Sequence, residues 1–250
     1  MPCRADSSLV AYGSTTPACS SRFRISPPCQ RSTSPIVVMC IFWDKSFNLP
    51  SLPFLFPYNN NYIMEGEDKQ RTHWLGVKDW GAERFNDWVV RWATEFYALT
   101  HMSEFDDFTV LNIGGGPVPL RFPKAKEEIL VDNNASWFNE HFPKEYREGM
   151  TVLDGDASVM KIPDKSVDIC YIRKTLEYIP SWQLVLNEVA RVMKPDSLLV
   201  LIFHEEQGDG INLNLLKDEL IIKTMKLRNY EVLKRTWDNN TYVQLVMRKC

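Results

Sequence analysis

The stretch from Asp156 to Pro195, DASVMKIPDKSVDICYIRKTLEYIPSWQLVLNEVARVMKP, carries the strongest structural pattern in the chain. Within it, Val167–Ile172 is short, apolar and rich in β-branched residues, which predicts a buried strand. Ser181–Met193 has apolar side chains at three- and four-residue intervals, which predicts a helix with one buried face. Leu198–Phe203 is a second apolar run. A strand, a helix and a strand in this order predict two parallel strands joined by a helix that lies on the sheet.

Strands and helices also alternate on both sides of this unit. The other predicted strands are Phe108–Ile113, Glu128–Asp132, Met150–Leu153, Glu231–Thr236 and Tyr242–Met247, and the other predicted helices are Lys78–Met102, Ala135–Glu145 and Asn212–Leu227. The last two strands flank Asp238-Asn239-Asn240, residues that favour the turn of a hairpin. We therefore expect an α/β fold: a Rossmann-like three-layer sandwich whose mostly parallel seven-stranded sheet ends in an antiparallel C-terminal hairpin.

Residues 1–63 differ in composition from the rest of the chain. They contain no Glu, two Asp, four of the six Cys and eight of the fifteen Pro, with Ser and Arg scattered between them. Three interpretations stay open: an organellar transit peptide, an extension upstream of a true start at Met64, or a genuine disordered or docking arm. The expected organisation is a disordered extension at 1–63, a helical cap at 64–107 and the main domain at 108–250.

Charge and composition narrow the classes of function. The net charge is −3, so no overall basic field favours nucleic acid as a partner. The apolar stretch from Ile36 to Trp43 is too short to span a bilayer. The cysteines form no CxxC pair and the histidines do not cluster at ligand spacing, so no metal site is predicted. We expect a cytoplasmic protein, or an organellar one if residues 1–63 are a transit peptide; the oligomeric state is not indicated.

A glycine-rich turn follows the first predicted strand, in the order Asn112-Ile113-Gly114-Gly115-Gly116-Pro117. Glycines at the carboxyl end of a strand let a ligand approach the backbone and its N–H groups. The dinucleotide fingerprint GxGxxG would require glycine at Pro119, so a ligand without a pyrophosphate fits better. An ordinary tight turn is the alternative.

Two short acids end the next predicted strands. Asp132 lies sixteen residues after Gly116, where a carboxylate can accept both hydroxyls of a ribose. Asp156 is followed by Ala157, and could accept a hydrogen bond from an adenine amino group while the small neighbour leaves room for the ring. The alternative for each acid is a solvated residue at the end of a strand.

Together these pieces resemble the class I S-adenosylmethionine-dependent methyltransferases, particularly their type 11 small-molecule branch. The resemblance runs from Val110 to the C-terminus and is most specific over Asp156–Pro195. It implies S-adenosylmethionine as cofactor, bound by the domain 108–250. The residues it implies are Gly114 and Gly116 at the methionine part, Asp132 at the ribose, Asp156 with Ala157 at the adenine, and Asn112, Gly115 and Arg173 beside them.

The chain departs from the family pattern around the first turn. Asn112 stands where the family usually has an acid, and Val118 where it has a third glycine. Pro117, Pro119 and Pro123 leave little room for a long helix after the first strand. We therefore expect the fold to be kept and the turn to be locally altered.

The carboxyl ends of the fourth and fifth predicted strands supply the candidates for catalysis. They are Arg173, Lys174, Glu177, Tyr178, His204 and Glu205. We single out His204 as a proton acceptor and Arg173 as a clamp for an anionic acceptor. Because no Asn-Pro-Pro-Tyr-like tetrad follows strand four, the leading hypothesis is methyl transfer to a small molecule, such as a sugar or an acidic metabolite. The alternatives are a non-catalytic relative that binds cofactor or a protein partner and, disfavoured by Pro119 and the hairpin, a reductase.

The helix predicted over Lys78–Met102 has two possible roles. Its aromatic side chains lie on one face, so the simplest role is packing on the core. Alternatively its N-terminal side, with Trp74 and Trp80, covers a substrate pocket.

Overall fold

The structure is a computed structural model that describes residues 66–79, 81–204, 216–238 and 242–250. Its helices are α1 (Gly66–Lys78), α2 (Gly81–Thr100), α3 (Ala135–His141), α4 (Trp182–Val192) and α5 (Asp218–Lys226). Its strands are β1 (Thr109–Ile113), β2 (Glu127–Asp132), β3 (Thr151–Asp154), β4 (Val167–Arg173), β5 (Met193–His204), β6 (Tyr230–Asp238) and β7 (Tyr242–Lys249). Short 3₁₀ turns occur at Lys144–Arg147 and Leu176–Tyr178. None of the described helices is long and apolar enough to cross a membrane.

The seven strands form one sheet in the order β3-β2-β1-β4-β5-β7-β6. The first five strands of the chain pair in parallel, whereas β7 runs antiparallel to both β5 and β6. This confirms the predicted α/β class and the antiparallel C-terminal strands. Ile113 at the end of β1 pairs with Val131 of β2 and Ile172 of β4, so the loops after these three strands meet at one edge.

Alternate side chains of the central strands enter two separate cores. Cys170 and Ile172 of β4 pack with α4 and α5, while Ile169 and Tyr171 pack with α2 on the opposite face. The helices therefore cover both faces of the sheet, as a parallel sheet requires, and the three layers are those predicted.

Helix α2 covers the face beside β1 where a helix between β1 and β2 would otherwise lie. The connection from 114 to 126 contains no helix and three prolines, each of which lacks a backbone N–H. Phe96 and Leu99 of α2 pack against Leu120 and Phe122 of this connection. Helix α2 thus buries the surface of the sheet that the missing helix after β1 leaves without a cover.

Some predicted boundaries differ from the structure. The predicted helix Lys78–Met102 is two helices, α1 and α2, with Gly81 at φ +77° between them. Helix α3 ends at His141 because Pro143 follows. Residues 194–197, which lie between the predicted helix Ser181–Met193 and the predicted strand Leu198–Phe203, belong to β5, where Asp196 takes φ +60°. Residues 1–63, Trp80, Glu205 and Asn239-Asn240 lie outside the described residues.

Candidate functional site

The glycine turn after β1 adopts a backbone that favours glycine and is closely covered. Gly114 has φ +66° and Gly116 has φ +64°. A methyl group placed on Gly114 would collide with the side chain of Thr175, and one on Gly116 would lie 3.0 Å from Cζ2 of Trp74. The turn is therefore held between the loop after β4 and helix α1.

Asp132 is joined directly to this turn. Its Oδ2 accepts a hydrogen bond from the N–H of Gly116 at 3.0 Å, and its Oδ1 accepts one from the N–H of Asn134 at 2.9 Å. The side chain is buried, with the residue only 8% exposed. Burial raises the pKa of the Asp132 carboxyl, and the nearby Asp154 acts in the same direction, whereas the two N–H donors and Arg147 oppose the rise.

Asn112 is buried behind the turn and points into the following loop. Its Nδ2 donates to the carbonyl oxygen of Leu120 at 3.4 Å, and its Oδ1 lies near Gly115. An amide can donate to this carbonyl, whereas the acid usual in the family could not. Asparagine at position 112 therefore suits this chain, in which the glycine turn is followed by a loop rather than by a helix.

Asp156 and Ala157 follow β3, whose last residue, Asp154, pairs with Asp132. Asp156 is exposed and its Oδ1 accepts a hydrogen bond from the N–H of Ser158 at 2.8 Å. Ala157 is buried in the larger core. The sheet thus brings the two predicted acid positions to the same edge, with Asp132 buried and Asp156 in solvent.

Helix α1 lies over the carboxyl ends of β1 and β2. Trp74 packs edge-on against Trp88, Phe138 and Phe142. Nε of Arg71 donates to Oδ1 of Asn134 at 3.0 Å. The sequence suggested, as an alternative, that Trp74 covers a substrate pocket, which stays a prediction; it gave no sign of the contact between Trp74 and the glycine turn.

Arg147 is a buried residue of this region that sequence reasoning missed. Its guanidinium donates to the carbonyl oxygens of Pro117 and Phe138 and to Oδ1 of Asn139. It therefore ties the end of α3 to the loop after the glycine turn, and burial lowers its pKa while Asp132 opposes that shift. An Arg in the polar run Lys144–Glu148 gave no sequence signal for such burial.

Arg173, at the end of β4, is directed toward α2. Its Nε forms an ion pair with Glu95 Oε2 at 2.9 Å, and its guanidinium carbon lies 5.2 Å from the ring centroid of Trp92. Glu95 Oε1 also accepts from Nε2 of Gln244 in β7 at 2.9 Å. Arg173 thus links the sheet to the helix that covers it.

Lys174, Glu177 and His204 converge where β4 and β5 end and β7 begins. The ring of His204 lies 4.1 Å from the ring of Tyr242, centroid to centroid, and the backbone N–H of His204 donates to Glu177 Oε1 at 3.1 Å. Lys174 donates from Nζ to the Tyr242 hydroxyl and lies 4.0 Å from the centre of that ring. Burial lowers the pKa of Lys174 to about 8, and Arg173 and Arg91 add to this, against Glu177 and Glu95.

The comparisons agree with this geometry. Residues 114–201 match the family model described as a methyltransferase domain. Similar solved folds include a methyltransferase from Aquifex aeolicus (18% identity, 65% of this chain and 89% of that one, TM-score 0.50). A second is a candidate S-adenosylmethionine-dependent methyltransferase from Listeria monocytogenes, with 12% identity over 63% of this chain and 99% of that one and a TM-score of 0.52. A third is from the Haloferax volcanii complex between the Trm112 methyltransferase activator and the candidate methyltransferase, with 14% identity over 75% of this chain and 100% of that one and a TM-score of 0.53. No curated protein matches.

The strand order, the glycine turn beside an acid and the family match together define a class I methyltransferase domain. Residues 114–201 accordingly form a methyltransferase domain, and S-adenosylmethionine is the cofactor that such a domain implies. In the part of the chain that the structure describes, His, Cys, Asp and Glu form no group of three that could hold a metal ion.

Proposed function

We propose that this protein transfers the methyl group of S-adenosylmethionine to a small-molecule acceptor, with the cofactor held at the ends of β1, β2 and β3. The observation that carries the proposal is the hydrogen bond from Gly116 to Asp132, because it joins the glycine turn to a buried acid at one edge of the sheet. The acceptor is proposed to lie beside the cofactor, at the ends of β4 and β5.

The residues at this edge fit the cofactor in charge and hydrogen bonding. Each carboxylate oxygen of Asp132 accepts one backbone N–H, and a carboxylate has about four acceptor positions, so two remain for ribose hydroxyls. Gly114 to Gly116 would face the methionine part, with Asn112 behind them. Asp156 and Ala157 would border the adenine. When bound, the cofactor supplies an electrophilic methyl group.

The nature of the acceptor follows from charge. The chain as a whole has a net charge of −3, which disfavours a polyanionic partner. A small acceptor, such as a sugar or an acidic metabolite, is therefore the proposal. The Haloferax volcanii neighbour is in a complex with an activator protein, so co-purified protein is worth identifying when this chain is isolated.

Titration calorimetry with S-adenosylmethionine tests the cofactor site. We expect Asp132→Ala to weaken binding at least tenfold, because the ribose hydroxyls lose a charged acceptor. Asp164→Ala is the matched control, since Asp164 is an exposed acid just before the start of β4, at the end of the strand opposite to the proposed site, and it should leave the affinity unchanged. Asp132→Asn, which keeps the shape, replaces the alanine variant if that variant does not fold. Equal affinity for wild type and both Asp132 variants would refute the assignment.

The acceptor is tested with methyl-labelled S-adenosylmethionine and a deproteinised metabolite extract. We expect label in low-molecular-mass product with wild type and none with Asp132→Ala. Label confined to nucleic acid or protein, when those are supplied instead, would overturn the small-molecule proposal.

A further inference from the structure

Lys174 occupies a constrained position immediately after β4. Its φ is +50°, a conformation that residues other than glycine adopt rarely and at a cost of about 1 kcal/mol or more. Its backbone N–H donates to the carbonyl of Ile202 in β5 at 2.7 Å, which keeps the residue in place. Backbone strain of this kind concentrates at functional sites.

The side chain of Lys174 is directed to a hydroxyl rather than to an acid. Its ammonium donates to the Tyr242 hydroxyl and lies over the same ring. Among the described residues, no carboxylate comes within ion-pair distance of its Nζ. Its two neighbours at the edge of the sheet are Thr175, which contacts the glycine turn, and Arg173, which is paired with Glu95.

Charged and titratable groups reach Lys174 from each packed element. Helix α2 contributes Arg91 and Glu95, and the end of β4 contributes Arg173 and, in the following turn, Glu177. Tyr242 of β7 touches the amine, and the ring of His204 in β5 lies against the Tyr242 ring at an angle of 51° between the ring planes. Two cations and two acids lie near the amine, so burial is the main reason why the pKa of Lys174 falls and the neutral form becomes accessible.

We propose that Lys174 is a catalytic residue of this methyltransferase, the amine that takes the proton from the acceptor, with Tyr242 as the positioning residue that orients it. This rests on the proposed function. The acceptor atom would lose a proton when it gains the methyl carbon. The proton moves to the neutral Nζ, which becomes an ammonium, and the electron pair of the former X–H bond stays on the acceptor atom. The methyl–sulfur bond of the cofactor would break, and its electron pair would stay on sulfur in the departing thioether. The ammonium then donates to the Tyr242 hydroxyl, as it does in the structure.

His204 is less suited to this step. Its ring lies against the Tyr242 ring, inclined by 51°, and its backbone N–H donates to the fully buried Glu177, so the imidazole helps to hold the tyrosine in place. The same arrangement explains why His204 belongs to the site: it fixes the ring against which Lys174 lies.

The first test needs no acceptor. The full chain is labelled with ¹³C at the lysine Cε, and the resonance absent from Lys174→Arg is assigned to Lys174. We expect this resonance to titrate with a midpoint near pH 8, and Tyr242→Phe to lower the midpoint because the ammonium loses a hydrogen-bond acceptor. A midpoint at the ordinary lysine value, above 10, would overturn the proposal.

The second test measures turnover with labelled cofactor and the metabolite extract. We expect Lys174→Met and Lys174→Arg to lose at least a hundredfold in rate, while their affinity for S-adenosylmethionine stays within threefold of wild type. Wild-type rates should rise about tenfold per pH unit below pH 8 and level off above it. The control is Lys161→Met, at an exposed lysine.

The outcomes separate this proposal from the one it rests on. If the wild type does not bind S-adenosylmethionine, or if no small molecule is labelled, the proposed function is wrong. The lysine titration still reports, independently, whether the Lys174 amine is neutral near pH 8. Full activity of Lys174→Arg contradicts the role of Lys174 alone, because arginine cannot accept the proton at these pH values.

Discussion

The indole of Trp74 lies against the backbone of Gly116, so close that a methyl group on this glycine would be 3.0 Å from Cζ2. Arg71, one turn earlier in α1, bonds to Asn134. Gly116 and Asn134 are the two residues whose N–H groups bind Asp132. Helix α1 therefore lies over the acid proposed to hold the ribose.

Substitution of Gly116 tests this contact. We expect Gly116→Ala to lower the free energy of unfolding by about 2 kcal/mol, because the new side chain adds a clash with Trp74 to the strain of a positive φ. Gly149→Ala is the matched control: φ there is +80° and no atom lies within 4 Å of the added carbon, so it reports the backbone strain alone. Urea unfolding measures the free energy of unfolding of both variants. An equal decrease for Gly116→Ala and Gly149→Ala would mean that the Trp74 indole moves aside at no cost.

The raised pKa of Asp132 makes stability depend on pH. A carboxyl whose pKa is higher in the folded than in the unfolded state stabilises the fold below its unfolded pKa and loses that contribution as the pH rises through the folded pKa. We expect the difference in unfolding free energy between wild type and Asp132→Asn to shift against wild type from pH 4 to pH 7. A difference that is constant over this range would contradict the raised pKa.

The Arg173–Glu95 pair is expected to attach α2 to the sheet. Glu95→Gln should cost about 1 to 3 kcal/mol of unfolding free energy, because both side chains are largely buried and the guanidinium loses its carboxylate. Asp164→Asn removes the acid of an ion pair that is exposed, with Asp164 71% accessible, and should cost about 0.5 kcal/mol or less. If the two variants are equally stable, Arg173 is not fixed by α2 and remains available to an anionic acceptor.

Removal of the Lys174 amine should increase stability at neutral pH. Because its pKa is about 8 when folded and above 10 when unfolded, the ammonium opposes folding fully below pH 8, and this cost fades as the pH rises toward the unfolded value. The shift corresponds to about 3 kcal/mol at most. We expect Lys174→Met to unfold at higher urea than wild type at pH 7, with the gap narrowing by pH 9.5; a constant gap would contradict the shift.

The fold was accessible from the sequence because it depends on local patterns. Apolar segments of strand length alternate with amphipathic helices, and the Asp238-Asn239-Asn240 turn separates two β-rich segments; from these the parallel sheet and its antiparallel end follow. The position of Asp132 was also predictable, since parallel strands bring their carboxyl ends to one edge. The roles proposed for His204, Arg173 and Asp156 stay predictions.

The sequence by itself thus determined the succession of strands along the chain, the glycine turn and the acid at the end of the second strand, each of which is encoded in a few consecutive residues. Only the tertiary structure decided that Trp74 lies on Gly116, that Arg147 is buried under the turn and that Lys174 reaches Tyr242, 68 residues away. The physical reason is that burial and the pairing of charges depend on which distant segments meet, and a lysine in a polar run has the same local pattern whether it ends in solvent or against a buried tyrosine.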